Sequence, residues 1–178
     1  PFGEYVPFAI FDSFFSFFNF NRPNIVSSDN NVLINTKDIN ISSAICYEIA
    51  YQDIFLKHGK RSNLLFNASN DNWFGDTIGP YQHLQISRYR AAENRKPLIR
   101  STSTGVRALI DKFGNVVKSI DIDNLEQKFS NSQQIESNIF TRSGHTPFIT
   151  FGKWPSIFFI LSVIFGSFFN KMLRNETN

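Results

Sequence analysis

Hydrophobic and polar positions change rhythm several times along this chain, and each change predicts an element. Residues 11–20 are crowded with Phe, broken by Asp, Ser and Asn; wound as a helix they place Phe11, Phe14, Phe15 and Phe18 on one face. Two readings stand for that segment: a greasy loop or short helix tucked into the core, or an arm against lipid, since aromatic side chains suit the bilayer interface. Residues 39–45 are rich in Ile and read as a strand that runs straight into Cys46-Tyr47-Glu48. Residues 64–68 read as a second short buried strand, closed by the polar cluster Ser69-Asn70-Asp71-Asn72. Gly79-Pro80 then marks the start of a helix that ends before Pro97. Its packing stripe is expected to hold Tyr81, Leu84, Arg88, Ala91, Ala92 and Arg95, with a carboxylate partner or snorkelling to satisfy Arg88.

Residues 106–110 and 116–120 flank Asp111-Lys112-Phe113-Gly114-Asn115, an alternating pattern around a glycine turn that predicts a hairpin. A polar stretch follows, with a short strand expected near Ile139. Strands, one clear helix and more strands predict an α/β fold with a sheet buried on at least one face. The last part of the chain is different. Residues 154–169 carry no charge, are apolar on every face, and lie between Lys153 and the pair Lys171 and Arg174. As a helix these sixteen residues rise about 24 Å, against a hydrocarbon core of about 30 Å, a gap that snorkelling Lys and an interfacial Trp154 largely close. A membrane span over 153–171 is therefore expected, with residues 172–178 as a cytoplasmic tail and residues 1–150 on the other side by the positive-inside rule. A buried core helix or an amphipathic surface helix is the other reading of this run.

Composition narrows the function classes. At 178 residues with 42% hydrophobic and 19% charged side chains, the chain is neither a disordered tail nor wholly membrane-embedded. A formal charge of +3 without a Lys/Arg run gives no reason to expect nucleic acid. A single Cys excludes an internal disulfide and a multi-Cys zinc site, and no phosphate loop, dinucleotide-binding glycine pattern or metal-ligand spacing occurs, so no cofactor is expected. Cys46 is either a small buried hydrophobe or a reactive group. Its place at a strand end opening onto a polar turn, with Glu48 two residues on, favours reactivity. So does the expected oxidising compartment, where a free thiol must be used or hidden. Glu48 is alternatively an ion-pair partner for an Arg on the Tyr81 helix, and Tyr47 and Trp73 are alternatively packing residues. His83 is read as a helix residue bonded locally, and His58 and His145 are assigned no role.

The runs Pro1-Phe2-Gly3-Glu4-Tyr5-Val6-Pro7, Ile45-Cys46-Tyr47-Glu48 and Ser69-Asn70-Asp71-Asn72-Trp73-Phe74-Gly75 occur in this order. So do Gly79-Pro80-Tyr81-Gln82-His83, Arg88-Tyr89-Arg90-Ala91-Ala92-Glu93, Pro97-Leu98-Ile99-Arg100-Ser101-Thr102 and Gly152-Lys153-Trp154-Pro155. Together they resemble the site motifs of the nitrilase superfamily and, within it, of the bacterial apolipoprotein N-acyltransferase family. The resemblance covers nearly the whole chain.

It implies an α-β-β-α sandwich, of which residues 1–150 would be the C-terminal part, followed by one transmembrane helix. It also implies a two-step transfer of a fatty acyl chain from a membrane phospholipid, through a cysteine thioester, to the amino group of a diacylglyceryl-cysteine at an apolipoprotein N-terminus. Carried over residue by residue, Cys46 matches the nucleophile, Glu4 an additional motif glutamate, and Tyr47 and Glu48 the residues that frame the nucleophile. Asn70 and Trp73 are expected to line the pocket. The family's general-base Glu and oxyanion-stabilising Lys would precede Pro1, and the opening of the chain without Met or signal peptide reads as the middle of a domain. Residues 1–178 alone are accordingly expected to be inactive. The implied location is the bacterial inner membrane with the catalytic domain in the periplasm. Two other functions are weighed beside this one: a nitrilase-type amidase acting on a small amide, and a non-catalytic membrane-tethered binding domain.

Overall fold

A computed structural model describes the backbone of residues 33–122 and 134–176, and the side chains of 33–120 and 134–168. Glu4 and the Phe-rich segment 11–20 lie outside the described residues. Among the described residues the chain builds one six-stranded sheet in sequence order: β1 (Leu33–Asn35), β2 (Asn40–Ile45), β3 (Leu64–Ser69), β4 (Leu98–Thr102), β5 (Gly105–Ile110) and β6 (Val116–Ile122). The central strands β2, β3 and β4 are parallel, whereas β1 pairs antiparallel with β2, and β4, β5 and β6 form an antiparallel meander. Parallel neighbours need a crossover, and two helices supply it: α1 (Gln52–Gly59) between β2 and β3, and α2 (Gly79–Asn94) between β3 and β4. The core lies between these helices and the sheet, built from Ala44, Ile49, Phe55, Leu65, Leu84, Ala91, Leu98, Val106, Ala108 and Ile110. The α/β expectation holds; one sheet and its helical layer are seen among the described residues.

Several expectations are corrected. Helix α1 was not visible as a helix in the sequence pattern. Its apolar residues Ile54, Phe55 and Leu56 are too few to mark a stripe, and only Phe55 among them is fully buried. Helix α2 has the expected span, and Leu84 and Ala91 of the expected stripe are buried, but the inward face is rotated: Pro80, His83, Ser87, Arg90 and Asn94 are buried with them, while Tyr81 and Arg95 are exposed. Apolar periodicity fails there because the buried face is largely polar. Of the two ways expected to satisfy Arg88, no carboxylate partner is seen among the described residues; its guanidinium donates to the Gly114 carbonyl (2.7 Å) and to Gln85 Oε1 (2.9 Å).

The hairpin forms as expected. Asp111 organises its turn by accepting from the Phe113 and Asn115 amides, each at 2.8 Å, while Gly114 adopts φ +84°. No strand forms near Ile139. That segment instead lies against the hairpin end of the sheet, where Leu109, Phe113, Val117, Ile139 and Phe140 line a cavity of about 360 Å³.

Two helices close the chain: the short α3 (Pro147–Phe151), capped by the Thr146 hydroxyl on the Ile149 amide, and α4 (Trp154–Glu176). Over its described side chains α4 is largely uncovered, with Phe158, Phe159, Ile160, Leu161, Ile164 and Phe165 all exposed. Among the described residues no helix is long and apolar enough to cross a membrane.

Candidate functional site around Cys46

Parallel strands deliver their C-terminal ends to one edge of the sheet, and there the candidate residues gather. Ala44 on β2, Asn67 on β3 and Arg100 on β4 stand abreast in register, and Ser69 faces Thr102 one step further toward the edge. Residues in one register row point to the same face, and this row points beneath α2. Immediately past it the chain turns at Cys46, which begins a 3-10 turn, Cys46–Ala50, with φ +48°. Among the described non-glycine residues only Cys46 and Arg95 have positive φ. For an L-residue this costs about 1–2 kcal/mol, and it persists only where the surroundings over-determine it.

The surroundings of Cys46 do so. The Glu48 carboxylate reaches back to accept the Ile45 amide at 2.7 Å, closing the turn on itself. From α2, Arg90 donates Nε to the Ile49 carbonyl (2.9 Å) and a terminal nitrogen to the Ala50 carbonyl (3.4 Å), and it is also paired with Glu93. The Cys46 carbonyl itself accepts from Asn67 Nδ2 at 3.2 Å, and His83 Nε2 lies 3.3 Å from it. A carbonyl can only accept, so Nε2 is the donor of that bond.

Beneath the turn lies a charged network with almost no access to water. Arg100 donates to Asp71 Oδ2 (2.5 Å) and to the side-chain oxygen of Asn67 (2.5 Å), with further contacts to Ser87 Oγ (3.4 Å) and the Val106 carbonyl (3.2 Å). Asp71 Oδ1 takes the Ser69 hydroxyl at 2.7 Å and faces His83 Nδ1 at 2.9 Å. Burial pushes the Asp71 carboxyl up. The His83 hydrogen bond, the Arg100 charge and the Ser69 hydroxyl outweigh it and hold the group below the usual carboxylate value. Burial likewise lowers Arg100, opposed by Asp71 and by its electrostatic coupling to Cys46. The Cys46 thiol, half-buried and unbridged, sits above this network with Ser69 Oγ 3.6 Å from its sulfur.

The expected site residues fare differently. Cys46 and Glu48 are together in one turn; Glu48 acts there as its brace, and the alternative partner, an Arg of α2, is bonded elsewhere. Tyr47 is nearly half exposed, with its ring 6.1 Å from that of His83 and 6.2 Å from that of Tyr51. Trp73 is 88% exposed on a second 3-10 turn, Asp71–Phe74, and packs on nothing that would make it a core residue. Asn70 is spent on the loops: its side-chain oxygen accepts from the Asn72 amide (3.2 Å) and the hydroxyls of Ser103 (2.7 Å) and Thr104 (3.4 Å). His83, read from sequence as locally bonded, is instead a long-range member of the site. Asp71, Arg100 and Asn67 were likewise missed, because a buried polar cluster leaves no periodic signal. No group of acidic, His or Cys side chains able to hold a metal occurs among the described residues.

The family model described as carbon-nitrogen hydrolase matches residues 10–144. Among curated proteins the chain is similar to the apolipoprotein N-acyltransferase of Photobacterium profundum, 36% identical over 168 residues covering 90% of this chain and 30% of that protein. It is similar also to the apolipoprotein N-acyltransferase of Pseudomonas paraeruginosa, 34% identical over 157 residues covering 87% of this chain and 29% of that one. The chain therefore spans less than a third of the length of these relatives. Among solved structures it matches Nit3 of Saccharomyces cerevisiae, a member of branch 10 of the nitrilase superfamily, at 17% identity and a TM-score of 0.49, over 55% of this chain and 39% of that one.

Proposed function

The chain belongs to the carbon-nitrogen hydrolase family, and from that premise we propose that Cys46 is the nucleophile of an N-acyltransferase acting on apolipoproteins. The observation that carries the reading is the Cys46 corner itself: a free thiol at the C-terminal end of a parallel strand, held at positive φ above a buried cation. The similarity to apolipoprotein N-acyltransferases over most of the chain supports the choice of substrates.

The chemistry divides one hard exchange into two easier ones. The Cys46 thiolate adds to the ester carbonyl of a phospholipid; the ester C–O bond breaks, the lysophospholipid leaves with a proton, and the acyl chain remains as a thioester. The free α-amino group of a diacylglyceryl-cysteine then attacks the thioester, forms the amide, gives up its proton and releases the thiolate. Glu48 supports the nucleophile by bracing its turn, Tyr47 borders it, and Glu4 is assigned a supporting role toward the amine or the upstream Lys. Trp73, presented to solvent on the turn after β3, and Asn70, which knits that turn to the β4–β5 connection, belong to the substrate side. The apolar segment 153–171 is proposed to span the inner membrane, with the catalytic domain periplasmic and residues 172–178 cytoplasmic. The uncovered aromatic and aliphatic side chains of α4 support this, since water is a poor solvent for such a surface.

The test uses the natural protein in membranes, a phospholipid with one labelled fatty acid, and a diacylglyceryl-cysteine peptide. Label appearing on the peptide α-amino group supports the proposal. Release of free labelled fatty acid with an unmodified peptide, or hydrolysis of small amides instead, refutes it.

A further inference from the structure

The strain at Cys46 and the two donors on its carbonyl have to be explained together. Asn67 Nδ2 divides its donation between the Ala44 carbonyl (3.1 Å) and the Cys46 carbonyl (3.2 Å), so it clamps the end of β2 to the turn. His83 Nε2 approaches the same Cys46 carbonyl from α2. Neither donor is free to move. Asn67 is fully buried with its oxygen held by Arg100, and His83 is 2% exposed with its other nitrogen on Asp71. Arg100 also touches His83 Nδ1 at 3.2 Å and closes the circuit by binding Asp71. Two donors from two different elements, tied to one buried ion pair, thus converge on one backbone oxygen of the candidate nucleophile. A peptide unit is planar and trans, so fixing that oxygen fixes the whole 46–47 unit and turns the Tyr47 N–H the opposite way. It also fixes the direction in which the Cys46 side chain leaves the backbone.

We propose that His83 and Asn67 are positioning residues, which hold the Cys46 peptide in its left-handed conformation through the Cys46 carbonyl and so aim the sulfur at the scissile ester. The inference rests on the reading of Cys46 as nucleophile. Neither residue touches substrate. Their effect falls on the acylation step, where a misplaced nucleophile is penalised strongly, and not on substrate affinity.

Two substitutions at His83 separate positioning from mere structural support. His83→Gln keeps a donor at the place of Nε2, toward the Cys46 carbonyl, and gives up Asp71. His83→Asn keeps an amide at the place of Nδ1, toward Asp71, and gives up the Cys46 carbonyl. In the natural protein with phospholipid donor, His83→Asn is expected to lower the single-turnover acylation rate about tenfold with KM unchanged, the size of one hydrogen bond lost. His83→Gln is expected to stay within about twofold of the parent, a few tenths of a kcal/mol. Alkylation of Cys46 by iodoacetamide, without substrate, should fall in parallel in His83→Asn.

An acylation rate for His83→Asn equal to the parent's, or equal losses in both variants, overturns the proposal. Should His83→Asn fail to accumulate, Asn67→Asp carries the same test. It keeps an acceptor for Arg100 and removes the other donor on the Cys46 carbonyl, so an unchanged acylation rate there also overturns the proposal. If Cys46→Ala still takes up an acyl chain, the nucleophile reading has failed instead. The alkylation rate then remains the measure of the His83 clamp.

Discussion

Replacing Asp71 by Asn removes one charge from the centre of the network while keeping the shape of the side chain. The side chains of Asp71 and Arg100 have no solvent exposure, and their contact distance is 2.5 Å. Arg100's remaining acceptors, the Asn67 amide oxygen, the Val106 carbonyl and the Ser87 hydroxyl, are all neutral. Asp71→Asn therefore leaves a buried guanidinium without a counter-charge, for which a loss of about 3–5 kcal/mol is expected. That is a large part of the 5–15 kcal/mol typical of a whole domain. Arg100→Leu takes the guanidinium from the carboxylate and leaves only Ser69 and His83 to hold it. The double variant removes both charges together, so it should be less destabilised than the sum by about 2 kcal/mol.

The assay is urea unfolding of the natural protein in detergent, comparing the parent, both single variants and the double variant. Acidification supplies a second readout. The folded Asp71 carboxyl lies below its unfolded value, so its contribution is complete above about pH 4–5 and is lost as the pH falls through the lower folded value. Asp71→Asn should lack that acid-dependent component. Additivity of the two single losses to within about 0.5 kcal/mol, or an acid response unchanged by Asp71→Asn, would refute the reasoning.

Three other outcomes follow from the same geometry. Gly105 has φ +79°, and a Cβ there would lie 2.8 Å from Asp71 Oδ2 and 3.1 Å from Pro80 Cβ; Gly105→Ala should cost at least about 1–2 kcal/mol from backbone strain alone, read as a lower urea midpoint. Lys96 is fully buried against the Gly59 carbonyl, and burial brings it down to about 8. The unfolded chain then binds more protons between that value and about 10.4, so stability should rise with pH across this window; Lys96→Met should abolish the rise. Trp73→Ala, at a position 88% exposed, should leave the unfolding midpoint within about 0.5 kcal/mol of the parent and raise the KM for substrate. An unchanged KM would remove Trp73 from the substrate side.

What could be read from the sequence was what apolar rhythm and turn chemistry encode. The strand into Cys46, the short strand before Ser69, the helix after Gly79-Pro80 and the hairpin around Gly114 all appear as expected. The inward face of α2 is not legible as an apolar stripe because four of its residues bury polar side chains: His83 bonds Asp71, Ser87 and Asn94 donate to carbonyls one turn back, and Arg90 donates to the Ile49 carbonyl. A residue such as His83 has its partners 12 and 37 positions away, distances that no local pattern records. Helix α1 carries too few apolar residues for a stripe, and the Ile139 segment lines the cavity at the hairpin end without pairing as a strand. Glu48 is legible in the sequence as a neighbour of the candidate nucleophile, but its bond to the Ile45 amide is a property of the folded turn.

The central claim is that Cys46 carries the acyl chain, and intact mass tests it most directly. The natural protein is mixed with phospholipid and weighed before and after hydroxylamine treatment, beside Cys46→Ala. A fatty-acyl increment that hydroxylamine removes and that Cys46→Ala never shows is the predicted result. An increment that survives in Cys46→Ala, or no increment in a parent protein that still acylates the peptide, would contradict it.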